Sequence, residues 1–470
     1  MSKLLATEKH RIQRCFYDHA TGGTYRSLAD IPGRRELDER VLPIYLRIGY
    51  VPGNATLFRG VDCLPGGREL SVTAEGWQAR ERFKFASIAP ALADTPEPAL
   101  HRKTAELFRD AVARCASARQ PVLPLSGGLD SRAILGALLE RTEARNIVTY
   151  TYGLPGTLDF EIGNRVARWA GTRHVRLDLS GFVIDEAKVR KVAVLSDSNT
   201  ELMSPTVWPD VLDRFGHDVV YWSGFTGDVL AGSHYQAEQG DTQAAVDAYL
   251  ASDGGAFRYF EPGEWRAEYD WAVARETKYD GLLSAREAIW FENHIERYTA
   301  HHIFMSGVQY ATPYMDDELT AHMLALPPRL RRGKAFFNRF VVQTYPQLFS
   351  LPTVDHGYGL AERPLKQAIW QSHTTLRKAA RRIFPGLVTH PRAAYTDLAR
   401  GMRTAGPLRN LVRDAITSLA RRDILDSKRI LLALSDHEHG IRNRFSLLAL
   451  LTSLEISLRV YCDQSASDRA

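Results

Sequence analysis

Residues 121–140 read PVLPLSGGLDSRAILGALLE, and no other stretch restricts the fold as much. An apolar run ends at Leu125. Gly127 and Gly128 stand behind the hydroxyl of Ser126, Leu129 and the carboxylate of Asp130 follow, and Ser131 opens an apolar helical pattern. A strand ending at Leu125 and a helix starting near Ser131 leave a turn with free backbone N–H groups at a helix N-terminus. Such a turn binds anions, and the helix dipole reinforces it. The glycines let the backbone approach a phosphate closely. Asp130 repels a bare phosphate, so the pattern implies a cation between them, and Mg²⁺ is the usual partner of carboxylate plus phosphate. The lysine of a G-x-x-x-x-G-K-[ST] loop is missing, so the turn suits a pyrophosphate that leaves intact while AMP is transferred. A lone S-G-G is more often a tight bend; the full S-G-G-L-D-S between an apolar run and a helix favours the phosphate reading.

The surroundings supply a sheet. Pro121–Leu125, Ile147–Tyr152, His174–Leu177 and Val219–Trp222 read as strands, with helical patterns after Asp130 and over Glu161–Ala170. Alternation of this kind argues for a parallel sheet with helices on both faces, an α/β fold. Pro124 removes a ladder donor and therefore belongs at the strand's end. Leu100, Leu107, Phe108, Ala111, Val112 and Cys115 recur as one buried helix face, with Thr95 as its cap and Pro96 at its first position. Ser87–Leu100 is rich in alanine and proline and reads as a linker. From Ser284 the pattern is mostly helical, broken at Pro313, Pro327, Pro346 and Pro385, and Ser446–Tyr461 reads as a packed terminal helix. The expected division is a small truncated N-terminal region over residues 1–95 and a synthetase region over 96–470, with the sheet in 96–240 and a helical part in 241–470. Tyr152 and Gly153 follow the second strand, where a base packs outside the carboxyl ends of an open sheet.

Composition narrows the class. The formal charge is +5, from 60 basic and 55 acidic residues, too mild to argue for nucleic acid. Arg377, Lys378, Arg381 and Arg382 at helical spacing read as a solvated face. Cys15, Cys63, Cys115 and Cys462 form no C-x-x-C pair, so neither a zinc knuckle nor a disulfide framework is expected. The N-terminus lacks a signal-peptide core, and Phe445–Leu451 alone is too short to span a bilayer, so a cytoplasmic enzyme is expected.

SGGLDS resembles the pyrophosphate loop of the N-type ATP pyrophosphatases, and most of all the asparagine synthetase family. SGFTGDVLAGSH, Ser223 to His234, is similar to that family's second loop; TPYMDDEL and the following LPPRLRRGKAFFNRF resemble later elements; GYVPGNATLFRGVDCLPGGREL resembles the end of its N-terminal domain. The resemblance implies ATP and Mg²⁺ as cofactors, with Leu125, Ser126, Gly127, Gly128, Leu129, Asp130, Ser131, Tyr152, Gly153, Ser223, Gly224, Phe225 and Gly227 around the nucleotide. It implies Asp130 and Asp228 as the metal acids. Glu296, Tyr298 and Lys334 become the catalytic candidates. Glu296 lies near the position of a glutamate that helps deprotonate the amine in β-lactam and carbapenam synthetases, but their loop tyrosine is replaced by Phe225. A polar helix face, with Glu296 paired to an arginine, is an equal alternative. Glu161 matches a family acid near the nucleotide, with a helix-dipole role nearly as good. LPTVDHGYGL has Asp355 and His356 where relatives place a lysine, and Lys334 matches a different, upstream element.

Glutamine-using relatives carry a cysteine after the initiator methionine. Here Ser2 stands there, and the region before the linker is too short for that glutaminase layer. The reaction implied is adenylation of a carboxylate, on a small molecule or a peptide, then displacement of AMP by an amine. This places the chain among amide synthetases of natural-product or modified-peptide biosynthesis, the class that includes lasso-peptide cyclases. An ammonia ligase fed by a separate protein, a partner that delivers a precursor, and a nucleotide-binding module without catalysis stay open as alternatives. A tRNA-modifying enzyme would want a basic RNA-binding module or paired cysteines, and neither is seen; no nucleic-acid or membrane partner is expected.

Overall fold

The computed structural model describes residues 3–10, 12–235, 241–251, 255–260, 267–354, 358–360 and 397–464. Asp355, His356, Pro385 and the basic cluster at 377–382 lie outside the described residues.

Eleven strands are present among them: β1 (Lys3–Ala6), β2 (Phe16–Asp18), β3 (Gly23–Tyr25), β4 (Val61–Cys63), β5 (Arg68–Val72), β6 (Trp77–Arg82), β7 (Gln120–Pro124), β8 (Val148–Gly153), β9 (Arg173–Asp178), β10 (Val219–Trp222) and β11 (Tyr310–Ala311). The N-terminal six form two antiparallel three-stranded sheets, ordered β1-β5-β6 and β3-β2-β4. The other five form one parallel sheet in the order β11-β10-β7-β8-β9. All four strands expected from the sequence are in it. The edge strand β11 was hidden in the stretch read as helical, because two residues are too few to show alternation.

This order decides where a ligand sits. From β7 the chain moves outward through β8 and β9, then returns to pair β10 on the other side of β7. The connections therefore diverge between β7 and β10, and the crevice beyond their carboxyl ends is where open parallel sheets bind ligands. Pro124 is the last residue of β7, and the ladder resumes one residue on, where Leu125 N–H donates to the Tyr150 carbonyl at 2.8 Å.

The long helix Glu97–Cys115 buries Leu100, Leu107, Phe108, Ala111 and Val112, as the spacing requires, in the same apolar cluster as Leu123, Leu125 and Ile134. Each large side chain so buried is worth about 1.5–3 kcal/mol. Thr95 does not cap it: Pro96 holds the cap position in extended conformation, without a side-chain bond.

The N-terminal sheets are fastened to the rest by buried polar groups. Asp197 accepts from Arg14 Nε (2.7 Å), Ser27 Oγ (2.8 Å) and Ser306 Oγ (2.9 Å), joining three distant segments. The Asn293 side chain accepts from Gly53 N–H at 3.1 Å. The terminal helix Phe445–Leu458 continues to Asp463, longer than its apolar core suggested. Phe445–Asp463 is long and apolar enough to cross a membrane, but 78% of its most apolar window is buried inside the fold. Glu455 within it is fully buried and paired to Arg422 and Arg459, which fits a core helix.

Candidate active site

The turn after β7 is braced from three sides. The Leu125 carbonyl accepts from Thr151 Oγ1 at 2.8 Å, Ser126 Oγ accepts from Gly128 N–H at 3.1 Å, and the Gly127 carbonyl accepts from Val354 N–H at 3.0 Å. Helix Asp130–Leu139 follows with Leu129 at its cap, a side chain that cannot accept a hydrogen bond. The first-turn N–H groups of a helix have no partner within it, and here no side-chain cap takes them. Two N–H groups of the turn are taken internally: Gly128 donates to Ser126 Oγ, as above, and Gly127 donates to Asp159 Oδ1 at 3.0 Å. Arg132, fully buried, donates to the carbonyls of Leu351 (3.0 Å) and Pro352 (2.7 Å) and so holds the segment bearing Val354 over the turn. Burial lowers this guanidinium to about 10.

The turn after β10 closes on the first. A Cβ on Gly224 would stand 2.8 Å from Asp130 Cβ, and one on Gly227 would stand 2.8 Å from the Asp130 carboxyl carbon and Oδ1. Only glycine allows the two loops this approach, which brings Asp130 and Asp228 to one cleft. Thr226 between the glycines has φ +67°, an uncommon backbone state for a β-branched residue and one that collects at functional sites. Its hydroxyl lies 3.3 Å from the Tyr314 carbonyl, and the Tyr314 hydroxyl donates to the Asp130 carbonyl at 3.3 Å. TPYMDDEL thus braces both loops through Tyr314. Its Asp316 caps the next helix, accepting from Leu319 N–H at 3.2 Å.

The cleft between the loops measures about 610 Å³. Leu125, Ser126, Gly128, Asp130, Ser131, Tyr152, Ser223, Gly224, Phe225 and Asp228 line it. Gly127 and Leu129 of the first loop are buried and do not line it, Gly227 is buried against Asp130, and Gly153, the last residue of β8, is buried next to Tyr152 in the chain. Lys334 reaches the site from its own loop, with its ammonium paired to Asp228. Its backbone is also left-handed, with φ +59° directly after Gly333 at +62°.

Glu296 and Tyr298 are elsewhere. They sit on a wide π-type helical run, Phe291–Thr299, closed by a bond from Ala300 N–H to the Ile295 carbonyl. Ile295 and Thr299 line the cleft, whereas Glu296 is buried, ion-paired to the equally buried Lys278, and accepts from Tyr279 Oη at 3.2 Å. A carboxylate held by a lysine behind the cleft wall does not suit the base expected of Glu296. Its partner is Lys278, not an arginine. Tyr298 lines a separate cavity of about 590 Å³, and burial raises its hydroxyl to about 12. Glu161 is exposed and accepts from Gly156 N–H at 2.8 Å, so it shapes a turn.

Sequence reasoning missed several lining residues. Asp159 stands two places before Glu161 and was overlooked beside it. Trp208, His234, Trp290, His294 and His302 also line the cleft. Trp290, His294, Tyr298 and His302 recur every four residues, a periodic signal that the sequence offers for this stripe. Among the described residues no group of three or more His, Cys, Asp or Glu is gathered to hold a metal alone. Asp130 and Asp228 on one cleft do match magnesium, which takes one or two carboxylates and completes its shell with phosphate and water.

The family model for asparagine synthase matches residues 103–459, well over half of the 470-residue chain. No curated protein matches the chain.

Proposed function

The chain belongs to the asparagine synthase family, whose members use ATP to form carbon–nitrogen bonds, and from that premise we propose that it is an AMP-forming amide synthetase. A substrate carboxylate attacks the α-phosphorus of ATP, the bond to the bridging oxygen breaks, and pyrophosphate leaves. An amine then attacks the acyl carbon, and AMP leaves with the electron pair of the broken C–O bond. Splitting the ligation through a mixed anhydride lowers each barrier.

The observation that carries this reading is the closure of two glycine loops at the divergence point of the sheet, with Gly224 and Gly227 against Asp130. The first-turn N–H groups of helix Asp130–Leu139, which no side chain caps, would stabilise the charge that collects on the leaving pyrophosphate. Lys334 adds a cation on the same side. Asp130 and Asp228 are the residues that would hold Mg²⁺, which supplies charge neutralisation and orientation of the phosphates. Tyr150, Tyr152, Val207 and Val211 share one apolar cluster and offer a wall for adenine. In this reading the nitrogen nucleophile is an amine or ammonia.

Incubation with α-labelled ATP, magnesium and an acceptor should give AMP and pyrophosphate. ADP as the main product would overturn the proposal.

A further inference from the structure

The cleft is lined by two unlike kinds of group. Every carboxylate that lines it among the described residues, Asp130, Asp159 and Asp228, is at the phosphate loops. Another part of its wall is made of rings. Trp290 stacks on His294 with centroids 4.7 Å apart and planes 16° apart, and the His234 ring lies 4.1 Å from Trp290. Phe225, from the second loop, is held edge-on to Phe304 at 4.9 Å and lines the same cleft, as does Ile295. The wall is fixed rather than adaptable. His294 Nδ1 hydrogen-bonds Tyr50 Oη at 3.1 Å, and Tyr50 in turn bonds the hydroxyl of Tyr249.

The imidazoles here are not cations at neutral pH. Burial lowers His294 to about 4, with His234 and His302 adding to the effect, and burial also lowers His234 and His302. The surface is therefore flat, polarisable and uncharged, with ring nitrogens able to meet a single polar group. Aspartate would bring an ammonium and a second carboxylate to rings that carry no charge themselves; the charges that act on them are Asp228 and Lys334 near His234, already paired to each other, and Glu201 beside His302. Planar apolar groups gain area burial and ring–ring contact there.

We propose that the carboxylic acid activated in this cleft carries an aromatic body, seated on Phe225, Trp290, His294 and Ile295, and is not a small charged amino acid such as aspartate. This rests on the adenylation reading for the position of the carboxylate, but the ring wall makes a separate claim about its body. The test uses the full chain with magnesium and a non-hydrolysable ATP analogue. Binding of 3-phenylpropionate and of L-aspartate is measured by ligand-observed NMR, and ATP–pyrophosphate exchange is measured with the same acids. Phenylpropionate should bind at least tenfold tighter than aspartate. Trp290→Ala should weaken it at least fivefold, and Trp290→Phe should restore most of the loss. Equal or tighter aspartate binding, no phenylpropionate binding, or indifference to Trp290→Ala would each overturn the proposal. Exchange supported by aspartate and not by the aryl acid would overturn it and leave the adenylation reading intact. Release of ADP with tight aryl-acid binding would do the reverse.

Discussion

Asp159 Oδ1 accepts the N–H of Gly127 at 3.0 Å, so a carboxylate occupies one donor of the loop proposed to hold pyrophosphate. The contact keeps the loop in shape and also places a negative charge where phosphate must come. Asn keeps the acceptor and removes the charge; Ala removes both. Asp159→Asn should therefore lower the KM for ATP several-fold, whereas Asp159→Ala should raise it. Steady-state kinetics on both variants distinguish these roles, and identical effects from the two would mean that the charge is irrelevant.

The metal acids give a second prediction. Asp130→Ala and Asp228→Ala should each lower adenylation at least about a hundredfold, the scale of losing one preorganised electrostatic group. Gly227→Ala is the subtler probe. Its Cβ would meet the Asp130 carboxyl carbon at 2.8 Å, so the carboxylate must move. Exchange should fall about tenfold, with thermal stability changed by no more than the 1–3 kcal/mol typical of overpacking. Full activity in Gly227→Ala would mean that the position of Asp130 is not critical.

The chemistry-bearing loops were legible because each is a contiguous run with its own signature: strand end, glycines, acid, helix. Their meeting was not, since it depends on β10 returning to the other side of β7. Residues 290–302 show the limit. Spacing of four puts Glu292 and Glu296 on one stripe and Trp290, His294, Tyr298 and His302 on another, and both stripes exist. Which stripe faces the cleft is decided by Lys278, which binds the acids from a separate segment, and by Tyr50, which binds His294 from the N-terminal region. Neither partner is local, so no periodicity reports them. β11 escaped for a related reason: its two residues are a strand only because β10 lies beside them.

Stability should depend on acid in a defined window. Burial holds His174, His294 and His322 at about 4, against 6.5 for an unperturbed imidazole. Between these values the unfolded chain takes up protons that the folded chain excludes. The stabilisation is thus complete above about pH 6.5 and is lost as pH falls toward 4. Melting temperature should be nearly flat from pH 7 to 8 and drop steeply between 6.5 and 4. His174→Gln should flatten part of that drop. A melting temperature constant from pH 7 to 4.5 would show that these rings are open to water.

The Lys278–Glu296 pair carries the last prediction. Both side chains are almost fully buried; Glu292 stands 3.9 Å from the same ammonium, and the Lys9 carbonyl accepts from it. Removing one charge leaves the other short of its nearest counter-ion in a medium of low dielectric, which costs about 3–5 kcal/mol for buried pairs. Glu296→Gln should lower the melting temperature by several degrees. At a temperature where the variant is still folded, adenylation and amide formation should change together. Replacing the whole trio, Lys278→Met with Glu292→Leu and Glu296→Leu, should recover part of the stability, because none of the three charges is then left buried without its counter-ion. The opposite pattern is an unchanged melting temperature with amide formation alone falling tenfold. That result would return Glu296 to the reacting atoms, because a purely structural carboxylate has no means of slowing one half-reaction selectively.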